Sequence, residues 1–314
     1  MKIATWNVNS VNARLETVLR WFEEVSPDVA CLQEIKCVDE KFPAEAFERL
    51  GYNVAVHGQK SYNGVAILSK TPLEDVRKGL PGDDADDHAR YLEAVVSGPN
   101  PVRVASIYLP NGNPIDTEKF PYKLAWMARL HAHARELLAY EEPLVLTGDF
   151  NVIPEPRDAA HPENWTKDAL FQPQTREAFR ALKWLGLTEA FLAIDGAPES
   201  YTFWDYQAGA WQRNNGIRID HALLSPQAAD KLLSCVIHRD VRGWDKPSDH
   251  VPVVTELDLS AHEPPRLHPR RLGPDRPGGG AEPAEGRVGG HRRPASRRSS
   301  AGAGGPGDGD GAGP

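Results

Sequence analysis

Leu144-Val145-Leu146-Thr147-Gly148-Asp149-Phe150-Asn151 is the stretch whose reading decides how the rest of the chain is organised. Its apolar residues predict a short buried strand, and Gly148 is expected to let the backbone turn. Alternation along an extended chain sends Phe150 to one side and Asp149 and Asn151 to the other. A carboxylate and a carboxamide therefore leave a strand end together. The first accepts protons, orients water or binds a metal, and the second donates N–H to an anion. A strand end is a stiff mount, which catalytic groups need because small misplacements cost large factors in rate. Alone, Gly-Asp-x-Asn would also serve as an ordinary turn, so the reading depends on partners elsewhere.

Such partners recur. Lys2 to Val8 reads as a strand ending in Asn7 and Asn9, followed by an amphipathic helix on Val11, Leu15, Val18, Leu19 and Phe22, with Ser10 as its expected N-cap. Val29 to Glu34 is a second strand with a carboxylate at its far end. A short helix around Ala44 to Leu50 leads to strands at Tyr52–Val56 and Val65–Ser69. Between these lies the loop Lys60-Ser-Tyr62-Asn63-Gly64, able to offer a lysine, an aromatic and backbone N–H groups to phosphates. Arg90 to Val96 and Val102 to Leu109 are further strands, the second ending at Tyr108 with Asn111 just beyond. Phe120 to Tyr140 reads as a long helix, and Arg176 to Leu185 as another. Ile217 to Leu224 is a strand carrying Asp220, and Asp249-His250 stands directly before the last strand, Val251 to Leu257. His131 and His133 are two apart on a helix and do not share a face, which excludes them as a metal pair.

Composition sets the class. The 314 residues are 40% hydrophobic and 25% charged, with net charge −8, a soluble globular profile that argues against a general nucleic-acid coat. No apolar run reaches membrane-spanning length, and the first residues lack a signal-peptide layout. Cys31, Cys37 and Cys235 have no metal spacing, consistent with a reduced, cytoplasmic protein. From Ala261 to Pro314 the chain has two leucines, one valine and no Phe, Tyr or Trp. That is too little apolar area to offset chain entropy, so a disordered tail is expected after a catalytic domain of residues 1–260.

Strands alternating with helices and irregular loops predict a mixed α/β fold with its site at strand ends. Glycine-rich nucleotide fingerprints, phosphate-binding loops and Gly-x-Ser-x-Gly elbows do not occur. What remains is rich in oxygen ligands, which suit Mg²⁺ or Mn²⁺ better than Zn²⁺. Seven ordered motifs now stand together: Thr5-Trp-Asn-Val-Asn9, Leu32-Gln-Glu-Ile-Lys36, Asn63-Gly-Val-Ala-Ile67, Tyr108-Leu-Pro-Asn111, Gly148-Asp-Phe-Asn151, Arg218-Ile-Asp-His221 and Ser248-Asp-His250. Through them residues 1 to about 260 resemble the exodeoxyribonuclease III family of apurinic/apyrimidinic (AP) endonucleases, in the endonuclease/exonuclease/phosphatase superfamily.

The resemblance implies a four-layer α/β sandwich, two facing mixed sheets flanked by helices. It implies an enzyme hydrolysing DNA 5′ to abasic sites, with 3′–5′ exonuclease and 3′-end trimming on double-stranded DNA, acting as a monomer. Glu34 resembles the principal metal carboxylate, helped by Asn7, and Asp149 the group that positions or deprotonates the attacking water. Asn151 lies beside it, holding phosphate or water. His250 resembles the phosphate-polarising residue, oriented by Asp249, with Asp220 a further supporting acid; Asp149, Asn151, Asp249 and His250 join Asn7 and Glu34 as the expected metal environment. Tyr108 and Asn111 resemble phosphate contacts, and Lys60, Tyr62, Asn63 and Asn215 are placed on the substrate side. Phe203, Trp204 and Ile219 resemble the wall of a pocket for a base-less sugar, while Ile217 stands where many relatives carry an aromatic. Two rivals stay open: a phosphoesterase of the same superfamily acting on RNA or in the manner of DNase I, and a non-catalytic nucleic-acid-binding regulator.

Overall fold

The structure is a computed structural model and describes residues 1–260; the expected tail, 261–314, lies outside the described residues. In chain order the elements are β1 (Lys2–Asn7), α1 (Leu15–Val25), β2 (Val29–Gln33), α2 (Ala44–Glu48), β3 (Asn53–His57), β4 (Val65–Ser69), β5 (Leu73–Lys78), β6 (Tyr91–Val96) and β7 (Val102–Tyr108). Then follow α3 (Lys119–Leu138), β8 (Leu144–Asp149), α4 (Pro173–Lys183), β9 (Thr188–Glu189), α5 (Ala190–Ile194), β10 (Asp220–Leu224), α6 (Pro226–Ala229), β11 (Leu232–Ile237) and β12 (Val253–Leu257). No helix among the described residues is long and apolar enough to cross a membrane.

Two six-stranded sheets result, ordered β11-β12-β1-β2-β4-β3 and β5-β6-β7-β8-β10-β9. Each has one parallel pair at its centre, β1 with β2 and β7 with β8. A parallel pair needs a crossover, and α1 and α3 supply it.

Side-chain parity explains the layering. In β1, Ile3 faces the second sheet while Ala4 and Trp6 face α1; in β8, Val145 faces inward while Leu144 and Leu146 face α3. Ile3, Val29, Cys31 and Ile67 meet Leu92, Val104, Val145 and Ala222 between the sheets. Trp21, Phe22 and Phe47 cover one outer face, and Trp126, Leu130, Leu137 and Phe179 the other. Both faces of each sheet are thus buried, and helix, sheet, sheet and helix make four layers. Following the inner face toward one end, the apolar set gives way to Thr5, Gln33 and Ser106, where Gln33 Nε2 donates to Thr5 Oγ1 and Ser106 Oγ, both at 3.1 Å. One step further the inward-facing residues are Asn7, Tyr108, Asp149 and Asp220.

Three local expectations need correction. Gly148 does not make a turn: it lies within β8, where an added Cβ would sit 1.9 Å from the Ile107 carbonyl oxygen. The glycine permits close strand approach, and Asn151, with φ of +47°, makes the turn. Ser10 does not cap α1; its Oγ accepts from Ala13 N, inside a turn that precedes the helix. The edge strands β5, β9 and β11 and the short helices α5 and α6 were not read from the sequence. In β5 five of six residues are exposed, so no apolar alternation marks it.

Candidate active site

Contributions from both sheets meet at the charged end of the interior. From the first sheet, Asn7 Nδ2 donates to Glu34 Oε1 at 2.8 Å and reaches across to Asp149 Oδ2 at 2.9 Å. Glu34 follows β2 with φ of +49°, and its carbonyl accepts from Ser10 N. Lys36 Nζ lies 3.3 Å from Glu34 Oε2 and donates to Asn9 Oδ1 at 2.6 Å. His250 precedes β12; Ser248 Oγ accepts from its N–H and donates to the Asn7 carbonyl. The imidazole pairs through Nδ1 with Asp220 Oδ2 at 2.9 Å, and its Nε2 is 3.5 Å from Asp149 Oδ2. Phe150 points away into the α3 side against Phe179, as alternation requires, leaving Asp149 and Asn151 facing the site.

The carboxylate that orients His250 is therefore Asp220, not Asp249. Asp220 arrives from β10 in the opposite sheet and bonds Nδ1 of the ring, whereas Asp249, in a bend, acts on the ring through its charge. Asp249 is half-buried, within the electrostatic reach of Glu34, His250 and Arg14.

Electrostatics follow from this crowding. Burial raises the Asp149 pKa from 3.8 to about 7; the His250 charge and the Asn7 bond oppose this, while Asp220 and Glu34 add to it. Burial disfavours the charged His250 ring, yet Asp220 and Asp149 outweigh it and hold the pKa well above 6.5. Burial also works against ionised Glu34, but the Asn7 amide, His250 and Lys36 bring its pKa below the ordinary value. Burial, with Glu34 and Asp149 nearby, pushes Tyr108 well above 10, so its hydroxyl stays a donor.

The donor set fits a hard divalent cation. Carboxylate oxygens of Asp149 and Asp220 lie within 4.8 Å of one another, with the His250 ring alongside as a charge partner, Glu34 shares the Asn7 amide with Asp149, and Asp220 Oδ1 is buried without a hydrogen-bond partner. An orphaned carboxylate oxygen in an oxygen-rich cluster is a place for a cation. The similar grouping Asp86, Asp87 and His88 is more exposed, and Arg129 and Tyr122 already occupy Asp86.

The remaining expected residues divide. Asn111 is exposed beyond Tyr108, and Asn151 is anchored by Nδ2 to the Leu109 carbonyl at 2.8 Å. Lys60 and Tyr62 project from their loop, Tyr62 being 71% exposed, while Asn63 is buried and bonds Gln59. This loop braces the Glu34 turn: Ile35 N donates to Gly64 O and Lys36 N to Asn63 O. The Phe203 ring lies 5.0 Å from the His250 ring, over a cluster of Ile153, Leu170, Ile217 and Ile219. Trp204 is the exception. It is 0% exposed, packed edge-on against Trp211 with Nε1 bonded to Asn214. Alternation from Phe203 turns it into the core, and it offers no pocket wall. Asn215 is half-buried in the loop leading to Ile217, its N–H bonded to the Ala210 carbonyl.

Two buried cations have partners that the sequence does not display. Arg218 pairs with Asp158 at 2.8 Å and with Glu189, which also bonds Lys183 at 3.1 Å. Lys123 is 0% exposed, with Nζ on the Asn111 and Asn151 carbonyls; burial lowers its pKa from 10.5 to about 7. Its signal was a lysine on the face of α3 that otherwise carries Trp126, Met127, Leu130 and Leu137.

Residues 4–250 match the sequence model of the Endonuclease/Exonuclease/phosphatase family. The exodeoxyribonuclease III of Haemophilus influenzae is 34% identical, the match covering 82% of this chain and all of that one. An AP endonuclease from Archaeoglobus fulgidus superposes with a TM-score of 0.79 at 38% identity, over 82% of this chain and 100% of the other. The 3′ phosphatase NExo from Neisseria, solved with a product DNA hairpin, gives 0.79 at 40% identity over 82% and 99%.

Proposed function

Starting from the fact that the chain belongs to the endonuclease/exonuclease/phosphatase family, we propose that it is a metal-dependent DNA-repair nuclease that incises double-stranded DNA 5′ to abasic sites and trims blocked 3′ ends. The observation that carries this reading is the contact of two sheets through Asp220–His250 and Asn7–Asp149, both at 2.9 Å, around unneutralised carboxylates.

In this reading water attacks phosphorus and the bond to the 3′-oxygen breaks, leaving a 3′-hydroxyl. Asp149 orients the water, drawing off its proton. Burial makes this carboxylate a stronger base than an exposed one, which suits that task. His250, kept protonated by Asp220, donates toward the phosphate oxygens and stabilises charge that grows in the transition state. Asn151, Tyr108 and Asn111 hold the same phosphate. Mg²⁺, or Mn²⁺, held by Glu34 and neighbouring carboxylates with Asn7 beside them, would act as the Lewis acid for the phosphate. Phe203 with Ile217 and Ile219 accepts the base-less sugar, and the exposed Lys60 and Tyr62 meet flanking DNA. The enzyme works as a cytoplasmic monomer.

The test is incision of a labelled duplex with one abasic site, beside intact duplex, 3′-phosphate ends and RNA, with Mg²⁺ or chelator. Metal-dependent cutting 5′ to the abasic site is expected. Equal cutting of RNA or intact duplex, or cutting untouched by chelator, would contradict the proposal.

A further inference from the structure

Among the buried charges, Lys123 is the one placed against the backbone of two expected phosphate contacts. Its near neighbours on this face of the helix, Trp126, Met127 and Leu130, are apolar, yet Nζ lies 3.0 Å from the Asn111 carbonyl and 2.5 Å from the Asn151 carbonyl. A desolvated ammonium persists only where acceptors replace its water. The two loops are shaped around it. Gly112 has φ of +87°, and an added Cβ there would approach Lys123 Cδ to 2.6 Å. Asn113, next along, is fixed through Oδ1 to Ala169 N and through Nδ2 to Asp168. Asn151 is held in the left-handed region by three bonds. Its N–H goes to Asp149 Oδ1 at 3.0 Å, its Nδ2 to Leu109 O, and its carbonyl accepts from Lys123. The side-chain Oδ1 is what remains for a ligand.

We infer that Lys123 is a positioning residue, a clamp beneath the substrate that ties the loops after β7 and β8 and so fixes Asn151 and Asn111 against the reacting phosphate. The inference rests on the nuclease reading but concerns a side chain that does not touch substrate. Packing alone would be served by Met or Leu at this position; the two carbonyls are what require an N–H donor at the full reach of lysine.

The experiment is a double-mutant cycle on abasic-duplex incision by the full chain, using Lys123→Met, Asn151→Ala and the pair. Lys123→Met is expected to lower kcat about 10- to 100-fold through misplacement. The double variant should be less impaired than the product of the two single losses by at least about threefold, since the lysine acts in part through that residue. A kcat for Lys123→Met within about threefold of wild type, or multiplicative effects in the double variant, would overturn the inference. Should Lys123→Met not fold, Lys123→Gln takes its place with the same thresholds. Wild-type protein inactive on abasic and 3′-phosphate DNA would instead defeat the nuclease reading, so the two failures are distinguishable.

Discussion

The motif Arg218-Ile-Asp-His221 feeds two buried ionic clusters that differ in one respect. On the outer side, Arg218 and Lys183 face Asp158 and Glu189, with His221 beside Arg218 and Glu189. Burial opposes charge on Glu189, but His221, Arg218 and Lys183 overcome it and drive its pKa below the ordinary value. On the inner side, Asp220 joins Glu34, Asp149 and Asp249, against which stand His250, Lys36 and, beside Asp249, Arg14. There the Asp149 pKa rises to about 7. The outer cluster is neutral within itself and fastens the loop after β8 to β9 and β10. The inner one is short of positive charge, and a cation together with its substrate completes it. The four-residue motif is thus divided between holding the fold and performing chemistry: Asp220 and His221 alternate at the start of β10, and Arg218, which precedes the strand, joins the His221 side.

The largest effect that would separate the clusters is catalytic. Asp149→Ala or His250→Ala should each lower incision by roughly 10²- to 10⁴-fold, while the melting temperature of Asp149→Ala, which removes a like charge, stays unchanged or rises. A large fall in stability would make the inner cluster a structural one like its neighbour. Arg218→Met should do the reverse. Breaking a buried pair leaves uncompensated carboxylates and costs about 3 kcal/mol of stability, read from urea unfolding, while kcat of the folded fraction stays within about tenfold of wild type, less than the inner-cluster variants lose. Smaller is the contrast between Asp149→Asn and Glu189→Gln in metal-free protein at pH 8. The first should gain about 1 kcal/mol by removing a like charge, and the second should lose stability.

The smallest effect is in pH dependence. The folded-state pKa of Asp149 lies above its unfolded value near 3.8, so folded protein holds the extra proton between about 4 and 7. His250, also raised, adds stability that is full below its unfolded pKa and is lost as pH climbs through the folded value. Both signs agree: without metal the melting temperature of wild type relative to Asp149→Asn, a difference that cancels the groups outside the cluster, should decline from pH 5 to 8. A rising profile would mean that the inner cluster, like Glu189, is already compensated.

How much of this was legible in the sequence follows from what a linear pattern carries. The central strands were readable because two buried faces make continuous apolar runs, and the site residues because each closes such a run: Asn7, Tyr108, Asp149 and Asp220 share inward parity. Edge strands such as β5 were not, because half-exposed pairing imposes little pattern. The partner of His250 was misassigned to Asp249 because adjacency in sequence was taken for adjacency in space. Trp204 was misplaced for a similar reason, since one step from Phe203 reverses the face. Lys123 was visible only as a break in an apolar stripe, and its two acceptors are backbone atoms that sequence does not display.

The central claim is that the inner cluster lacks positive charge and a divalent cation supplies it. Calorimetric titration of the full chain with Mg²⁺, repeated with Mn²⁺, from pH 6 to 8 tests it most directly. Binding should release protons and tighten by up to about tenfold per pH unit below 7, levelling above it, because Asp149 must lose its proton. Glu34→Gln should weaken it at least about tenfold, as expected for a lost charged ligand. Affinity indifferent to pH and unchanged in Glu34→Gln would contradict the account.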